Sequence, residues 1–381
     1  MLSPKVLVDF LLQNNISFFS GVPDSLLKDF CAYVDDEFPE SRHIIAANEG
    51  AAVGLGIGHH LSTGEIPLIY LQNSGLGNTV NPLLSLASEE VYSIPMLLVI
   101  GWRGEPGVKD EPQHIHQGRI TPDLLDVMGI PYSIIDKNLS QNQILELIKN
   151  QIEDSFDNKK PVCILVRKGT FETYKKKNNE SINSNYELER EEAVEIATKE
   201  CETNSVIVCT TGMLSRELFE FRANNQLGHG KDFLCVGGMG HASQIATGIA
   251  INQPHRPVYC FDGDGASLMH MGSMAITGTK NLSNLIHLVF NNGCHESVGG
   301  QPTVASKFRL SNIAKSIGYK FSETVSDKKN LKKIIREAQS RKTSSFIEIL
   351  VRPGHRSNIG RPTTTPNQNK ISLMKTLKQD L

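Results

Sequence analysis

An acidic residue and an amide residue 28 positions apart, Asp264 and Asn292, could together bind a hard cation. The apolar run PVYCF leads into Asp262, Gly263 and Asp264, and a second apolar run, LIHLVF, leads into Asn291 and Asn292. If the runs are strands joined by one helix, they form a βαβ unit whose strand ends face the same crevice. A carboxylate, an amide oxygen and a nearby backbone carbonyl would then bind a cation and leave positions for phosphate oxygens and water.

The residues after Asp264 favour an anion. Gly265 and Ala266 open the predicted helix, where unbonded N–H groups and the helix dipole attract a phosphate. Asp-Gly and Asn-Gly also form ordinary turns, so neither half is informative alone. The two halves at this spacing predict a site in which a metal holds a diphosphate.

A second candidate acid lies in the first half of the chain. Residues 43–58, HIIAANEGAAVGLGIG, place Asn48 as the cap of a helix whose first turn holds Glu49 and whose later face is Ala and Gly. Such a helix can pack closely against another backbone, and a carboxyl buried there would have a raised pKa. An acid in a first helical turn is also common as a simple cap, so both interpretations stay open.

The surrounding sequence alternates between β-rich runs and helical patterns such as 25–35 and 141–152. The predicted strands cover 66–71, 94–100 and 161–166 in the first half, and 205–210, 257–261, 285–290 and 345–351 in the second. Continuous apolar strands between helices indicate parallel sheets covered on both faces. We therefore predict an α/β protein with two doubly wound parallel-sheet domains.

The most polar stretch, residues 174–192, predicts the linker between these domains. It divides the 381 residues into domains 1–173 and 193–381, both large enough to bury a core.

Composition narrows the partner class. The net charge of -2 comes from 39 basic and 41 acidic residues that are interspersed, so the sequence does not predict a basic surface that would bind nucleic acid or a membrane.

Cys163, Cys209, Cys235 and Cys260 lie in apolar runs without a C-x-x-C pair, which predicts reduced core thiols in a cytoplasmic protein. No G-x-G-x-x-G motif opens a helix after a strand, which argues against a nicotinamide cofactor. A small-molecule substrate fits best.

The G-D-G of residues 263–265, followed after an intervening helix by N-N, resembles the metal and diphosphate signature of thiamine diphosphate-dependent 2-oxo acid decarboxylases. That resemblance implies that Asp264, the Asn292 side chain and the Cys294 carbonyl bind Mg²⁺. It also implies that Glu49 bonds the aminopyrimidine ring of the cofactor.

Other segments extend the resemblance. Residues 236–250, VGGMGHASQIATGIA, are similar to the family segment that supports the bent cofactor. Gly237 would offer its carbonyl to the pyrimidine amino group, and Met239 would be the apolar wedge under the rings, although a glycine-rich turn with a core methionine is the alternative. Thr211 and Gly212, after the first strand of the second half, are candidate diphosphate contacts.

The resemblance spans nearly the whole chain. The chain departs from the pattern because it has no middle domain between its two halves, whereas pyruvate decarboxylase-like enzymes have one. It implies a homodimer or larger homo-oligomer, because in these families the two halves meet across a subunit interface.

Several strings are similar to the decarboxylases that act on 3-phosphonopyruvate, with those that act on sulfopyruvate as close kin. They are GVPDS at 21–25, QNSGLGN at 72–78, GWRGEPGVKDEPQHIHQGR at 101–119, TTG at 210–212 and ESVGGQPT at 296–303. The implied reaction gives phosphonoacetaldehyde and carbon dioxide as part of phosphonate biosynthesis.

We predict that the segment after the 94–100 strand is a long loop whose basic side chains bind the anionic groups of the substrate. These side chains are Arg103, Lys109, His114, His116 and Arg119. A solvated basic loop is the alternative. By resemblance, Asp24, Ser25, Asn73 and His114 or His116 stand above the thiazolium ring and handle the proton that the reaction needs.

Three other functions stay open. Sulfopyruvate is the nearest alternative substrate, because sulfonate and phosphonate are both tetrahedral. A carboligase would use the same cofactor. A non-catalytic subunit would keep the fold, although loss of Glu49 or Asp264 would have signalled it and both are present.

Overall fold

The computed structural model describes residues 1–177 and 186–378. The chain forms two compact units, one made of residues 1–179 with 298–301 and the other of residues 180–297 with 302–381. Residues 178–185 of the predicted linker lie outside the described residues, and the proposed division at 174–192 stays a prediction. In the described part of the chain, no helix has both the length and the apolar character needed to cross a membrane.

The first unit is built on a six-stranded parallel sheet with the strand order β2-β1-β3-β4-β6-β5. Its strands are β1 Phe19–Gly21, β2 His43–Ile45, β3 Leu68–Gln72, β4 Met96–Gly101, β5 Tyr132–Ile135 and β6 Pro161–Val166. Its helices are α1 Pro4–Gln13, α2 Lys28–Glu37, α3 Glu49–Thr63, α4 Leu76–Pro82, α5 Pro112–Val127 and α6 Gln141–Asn158. Short turns of other helix types cover Asn73–Gly75 and Leu83–Ala87.

Both faces of this sheet are buried, which explains the unbroken apolar strands. Leu97 and Val99 of β4 join one core cluster, whereas Leu98 and Ile100 join another. Because successive side chains of a strand point to opposite faces, the two clusters lie on opposite sides of the sheet.

The second unit has its own six-stranded parallel sheet, in the order β13-β14-β10-β9-β7-β8. Its strands are β7 Val206–Cys209, β8 Asp232–Leu234, β9 Val258–Gly263, β10 Leu285–Asn291, β13 Phe321–Val325 and β14 Ser345–Leu350. The chain also has the short strands β11 Cys294–His295 and β12 Gln301–Pro302. The helices are α7 Arg190–Glu200, α8 Met213–Asn224, α9 Ala242–Asn252, α10 Asp264–Met269, α11 Met271–Lys280, α12 Leu310–Ser316, α13 Lys328–Arg341 and α14 Pro366–Lys378. Single 3₁₀ turns cover Glu296–Val298 and Val304–Ser306.

The two sheets share one topology. When the six main strands of each unit are counted from its N-terminus, both sheets have the order 2-1-3-4-6-5. The predicted fold of two doubly wound parallel-sheet domains is confirmed, and the identical strand order shows that the two halves repeat one architecture.

Two sequence-based predictions of local structure were wrong. The first is the long loop after β4, because helix α5 begins at Pro112 and carries His114, His116 and Arg119. Gly and Pro in this run predict a loop, yet Pro at the first helical position is favourable because its missing N–H has no helical partner there.

The proline inside α5 is also accommodated. Pro122 has no N–H to offer the carbonyl of Gly118, and that carbonyl instead accepts the indole N–H of Trp102 at 2.8 Å.

The second wrong prediction is the single helix between Asp264 and Asn292. The segment forms two helices, α10 and α11, because the backbone of His270 leaves the helical region at φ −129°, ψ 47°. Cys163, Cys209 and Cys260 lie in strands as predicted, whereas the buried Cys235 follows β8 rather than lying in it, and all seven cysteines are free thiols.

The described ends of the predicted linker are held in place. Tyr174 donates its backbone N–H to Asp29 and its hydroxyl to Asp36, both at 3.1 Å. At the other end Leu188 is buried and Arg190 is the first residue of α7. The start of this polar stretch therefore makes specific hydrogen bonds to α2.

We predict that Gly118→Ala destabilises the first unit. A Cβ at position 118 would lie 1.9 Å from the carbonyl oxygen of Gly104, so one of the two backbones must move, at a cost of about 1–3 kcal/mol. Gly248→Ala on α9 is the control, because nothing lies within 4 Å of its Cβ position and alanine favours a helix. Urea unfolding of both variants measures the difference, and an unchanged midpoint for Gly118→Ala would contradict the packing described here.

Candidate active site

Three neighbouring strands of the first unit end beside one another, and each is followed by a polar segment. β1 and β4 flank β3, with Gly21 opposite Tyr70 and Gln72 opposite Gly101. The segments that follow these strands carry Asp24, Asn73 and Arg103. Strand ends of a parallel sheet are the usual place for a binding site in this class of fold.

Asp24 is a fully buried carboxylate at this edge. Burial raises its pKa to about 6, although hydrogen bonds from backbone N–H groups and the charge of Arg103 oppose the shift. Its Oδ2 accepts the N–H of Leu26 at 2.9 Å. The carboxylate fits only because residue 101 is glycine, since a Cβ there would lie 2.1 Å from Asp24 Oδ2.

Arg103 is held by an acid that the sequence analysis did not identify as its partner. Its Nε and Nη2 donate to the two oxygens of Asp110 at 2.7 and 2.5 Å, and its Nη1 donates to Ser25 Oγ at 2.7 Å. The guanidinium is therefore fixed in direction, and its charge is largely balanced inside the unit.

Asn73 holds this segment together. Its Oδ1 accepts the backbone N–H of Arg103 at 3.0 Å, while its Nδ2 donates to the Arg103 carbonyl at 2.8 Å and to Thr121 Oγ1 at 2.9 Å. Both ends of the amide are thus engaged in positioning Arg103.

His114 lies buried near the same group. Burial, together with the charge of Arg103, lowers its pKa to about 4, so the ring is neutral at pH 7. His114 Nδ1, Asp24 Oδ1 and Gln113 Oε1 are buried polar atoms with no hydrogen-bond partner among the described residues. Such unpartnered buried atoms are candidate contacts for a ligand.

The remaining predicted substrate residues do not join this buried group. Lys109, His116 and Arg119 are exposed, and Arg119 Nη2 donates to His116 Nδ1 at 2.7 Å. The structure therefore brings together Asp24, Ser25, Asn73, Arg103 and His114 and leaves these three on the surface of α5 and the loop before it.

Glu49 is the first residue of α3, and the predicted cap forms because Asn48 Oδ1 accepts the N–H of Ala51 at 2.9 Å. The carboxylate is buried, and burial raises its pKa, against a hydrogen bond from Asn78 Nδ2 to Oε2 at 2.7 Å. A Cβ on Gly75 would lie 2.1 Å from Glu49 Oε1. The turn between β3 and α4 therefore admits the acid only because residue 75 is glycine.

In the second unit, Asp264 and the Asn-Asn pair follow adjacent strands, with Gly263 opposite Phe290. Asp264 is buried, and burial raises its pKa to about 6. Its Oδ2 accepts the hydroxyl of Thr303 at 2.5 Å. No ion pair of Asp264 with a basic side chain occurs among the described residues.

The two asparagines of this turn have different partners. Asn291 is turned inward, where its Nδ2 donates to the buried Glu348 at 2.8 Å and its Oδ1 accepts the N–H of Gly293 at 3.0 Å. Asn292 Oδ1 accepts the N–H of Cys294 at 3.1 Å, and Asn292 Nδ2 donates to Glu296 at 2.8 Å. Asn291 thus fixes the turn that presents Asn292.

The glycine-rich segment lies against the start of α10. A Cβ on Gly265 would lie 3.3 Å from Met239 Cε, and a Cβ on Gly240 would lie 3.2 Å from the Ala266 carbonyl oxygen. Gly237 follows the buried β8 and Cys235, just before these contacts. The structure thus brings Met239, Gly265 and Ala266 together.

Thr211 and Gly212 follow β7. Thr211 Oγ1 donates to the Val236 carbonyl at 3.0 Å, which ties this end to the glycine-rich segment. Gly212, at φ +101°, caps α8 and lies near Ser297, whose Oγ would be 3.7 Å from a Cβ at position 212.

Sequence reasoning missed several residues that hydrogen-bond to the candidate site residues. These are Asn78, Asp110, Gln113, Thr303 and Glu296. Asn78 ends the string QNSGLGN, and Glu296 and Thr303 begin and end ESVGGQPT, so the strings themselves held the signal.

We predict that Asp24→Asn stabilises the chain at pH 7.5. The folded-state pKa of about 6 exceeds the ordinary 3.8, so the ionised carboxylate destabilises the fold above pH 6, and the penalty disappears as the pH falls to about 4. The neutral amide should raise the free energy of unfolding by at most about 3 kcal/mol at pH 7.5 and by almost nothing at pH 4. Urea unfolding at both pH values measures this, with the exposed Asp123→Asn as control. Equal effects at the two pH values would refute it.

Comparison with known families finds a match in each half of the chain. Residues 3–127 match the family described as thiamine pyrophosphate enzyme, N-terminal TPP binding domain, and residues 209–349 match thiamine pyrophosphate enzyme, C-terminal TPP binding domain. The predicted cofactor class is thereby confirmed.

Three curated relatives match over nearly their whole length. A phosphonopyruvate decarboxylase of Streptomyces viridochromogenes is 33% identical over 96% of this chain and 92% of its own. A phosphonopyruvate decarboxylase of Streptomyces hygroscopicus is 30% identical over 97% and 92%. A sulfopyruvate decarboxylase of Methanosarcina acetivorans is 26% identical over 91% of each chain. The chain belongs to the phosphonopyruvate decarboxylase family of thiamine diphosphate-dependent enzymes.

Proposed function

We propose that this decarboxylase acts on 3-phosphonopyruvate, using thiamine diphosphate and Mg²⁺, and forms phosphonoacetaldehyde and carbon dioxide for phosphonate biosynthesis in the cytoplasm. The observation that carries the substrate assignment is the group of Asp24, Arg103 and His114 in a chain similar over nearly its full length to two phosphonopyruvate decarboxylases.

The residues of the second unit fit Mg²⁺. Asp264 is a buried carboxylate with a hydroxyl donor and backbone donors, and a divalent cation would compensate its charge. Asn292 Oδ1 and the Cys294 carbonyl add neutral oxygens, and an all-oxygen donor set is what Mg²⁺ prefers. Asp264, Asn292 and Cys294 would hold the metal, and Thr211, Gly212, Gly265 and Ala266 are the proposed diphosphate contacts.

The first unit fits the pyrimidine end of the cofactor. When bound, thiamine diphosphate supplies a carbon nucleophile and accepts the electrons left by departing carbon dioxide. Glu49 is buried and has a raised pKa, so it can hold a proton shared with a ring nitrogen. Gly237 would accept the amino group of the ring on its carbonyl, and Met239, against Gly265, would support the rings.

Asp24 and His114 are the proposed proton-handling groups. With a pKa of about 6, Asp24 can donate and accept a proton near neutral pH, and His114 is a neutral imidazole there. Arg103, oriented by Asn73 and Asp110, would face the anionic substrate together with Ser25. The exposed Lys109 and Arg119 would contribute positive charge at the approach to the site, and His116 would hold the Arg119 side chain there.

Sulfopyruvate is the second candidate substrate. The relative from Methanosarcina acetivorans is similar over 91% of the chain, and a sulfonate offers the same tetrahedral oxygens with less charge. Arg103 would bind either group, so the choice between them depends on charge.

We also propose that the active form is a homodimer or larger homo-oligomer. Helix α3, which begins with Glu49, exposes a stripe of small and apolar residues on the face away from its own sheet. The stripe is Ala51, Gly54, Leu55 and Gly58, and Gly54 and Gly58 have no neighbour within 4 Å of a Cβ position among the described residues. Such a stripe permits close approach of another helix.

Carbon dioxide release tests the substrate. Purified protein with thiamine diphosphate and Mg²⁺ should show its highest kcat/KM with phosphonopyruvate, and lower values with sulfopyruvate and pyruvate. A preference for sulfopyruvate would replace the substrate and keep the chemistry. No release from any of the three would refute the proposal, and hydroxyketone formation with added aldehydes would then identify a carboligase.

Two variants test the role of Glu49. Glu49→Gln should keep cofactor affinity but lower the rate at least about 10²-fold, because an amide cannot exchange the proton. Gly75→Ala should also lower it, since its Cβ would displace Glu49 Oε1. Gly77→Ala, whose Cβ meets nothing within 4 Å, is the matched control. Turnover of Glu49→Gln at the wild-type rate would eliminate this role, and calorimetry of cofactor binding separates it from loss of affinity.

A further inference from the structure

Glu296 lies at the centre of a buried charge network next to the Asn-Asn turn. Its Oε2 accepts the Asn292 amide N–H at 2.8 Å and also receives Nη1 of Arg190, and its Oε1 pairs with His355 Nδ1 at 2.7 Å. The side chain is only 11% exposed. Each carboxylate oxygen therefore has a partner from a different part of the second unit.

Arg190 is itself held from the other side. Its Nε and Nη2 donate to both oxygens of Glu217 on α8, at 2.9 and 2.7 Å, and Glu217 is 1% exposed. A buried, bidentate arginine pair has little freedom to rotate. The first residue of α7 and a residue of α8 thus fix the position of the Glu296 carboxylate.

This fixed carboxylate determines which way the Asn292 amide points. The oxygen and nitrogen ends of an asparagine amide have nearly the same shape, but only the oxygen can bind a cation. Because Glu296 is an acceptor without a proton to donate, it selects the Nδ2 end. The Oδ1 end is then presented towards the Cys294 side of the turn, where it accepts the Cys294 N–H.

We propose that Glu296 is a positioning residue that orients Asn292 for the metal, with Arg190 and His355 holding Glu296 in place. The inference rests on the proposed function, because it takes Asn292 as a Mg²⁺ ligand. A flipped amide would turn its N–H groups towards the cation, so loss of Glu296 weakens metal binding without removing any ligand. Partners that orient ligands typically contribute about 10–100-fold to metal affinity.

Calorimetric titration of Mg²⁺ into the full chain with saturating thiamine diphosphate tests this role. Glu296→Ala should bind Mg²⁺ about 10–100-fold more weakly. Glu296→Gln should lose less, because its amide oxygen can still accept from Asn292. Glu323→Ala, an exposed acid on β13, is the control and should match the wild type. Asp264→Ala, which removes a proposed ligand, should abolish the signal.

The outcomes separate the two proposals. If the wild type shows no Mg²⁺-dependent binding, the proposed metal site fails. If the wild type binds and Glu296→Ala binds equally well, the positioning role is overturned. Should Glu296→Ala not fold, as judged by its thermal unfolding, His355→Ala removes one support of Glu296 and leaves Asn292 unchanged. That variant should bind Mg²⁺ more weakly than the wild type, and wild-type affinity would overturn the role of the network.

Discussion

Burial of carboxylates at the ends of parallel strands is the constraint on which the rest of this structure depends. Asp24, Glu49 and Asp264 are all removed from water, and burial raises the pKa of each. An isolated buried carboxylate is costly, so its surroundings must be built around it. Glycines at positions 75 and 101 provide the space for two of these acids.

The neighbouring polar groups then serve to hold these acids and their partners in one arrangement. Asn73 binds the backbone of Arg103, Asp110 binds its guanidinium, and Asn291 anchors the turn before Asn292 through Glu348. Such groups have no chemistry of their own. They reduce the number of orientations that the candidate site residues can adopt, which is what a preorganised site requires. Instability at Asp24 and Asp264 is a cost that enzymes accept where function needs a perturbed acid.

The repeated topology gives both units the same kind of position for polar residues, at the ends of their strands. Both sheets place strand ends along one edge in the order 2-1-3-4-6-5, so the same architecture offers the same kind of position twice. In the first unit the edge holds the buried acids Asp24 and Glu49, which are the proposed proton-transfer groups. In the second it holds oxygen donors, because Asp264 and Asn292 follow adjacent strands and lie at equivalent ends. The fold provides positions, and the residues at those positions determine the chemistry.

The sequence by itself determined the fold class and the family, and it pointed to the most conspicuous candidate site residues. Alternation of apolar strands with helices is a local pattern, and Asp264, Asn292 and Glu49 lie in short motifs that can be recognised one segment at a time. Tertiary structure decided the rest. The partnership of Arg103 with Asp110, the orientation of Asn292 by Glu296 and Arg190, and the space that Gly75 leaves for Glu49 join residues from separate segments. The helix at Pro112 also depends on a distant group, because the indole of Trp102 takes the carbonyl that Pro122 leaves without a partner. Spacing along the chain does not encode such contacts, since they form only when the packed sheet brings strand ends and loops together.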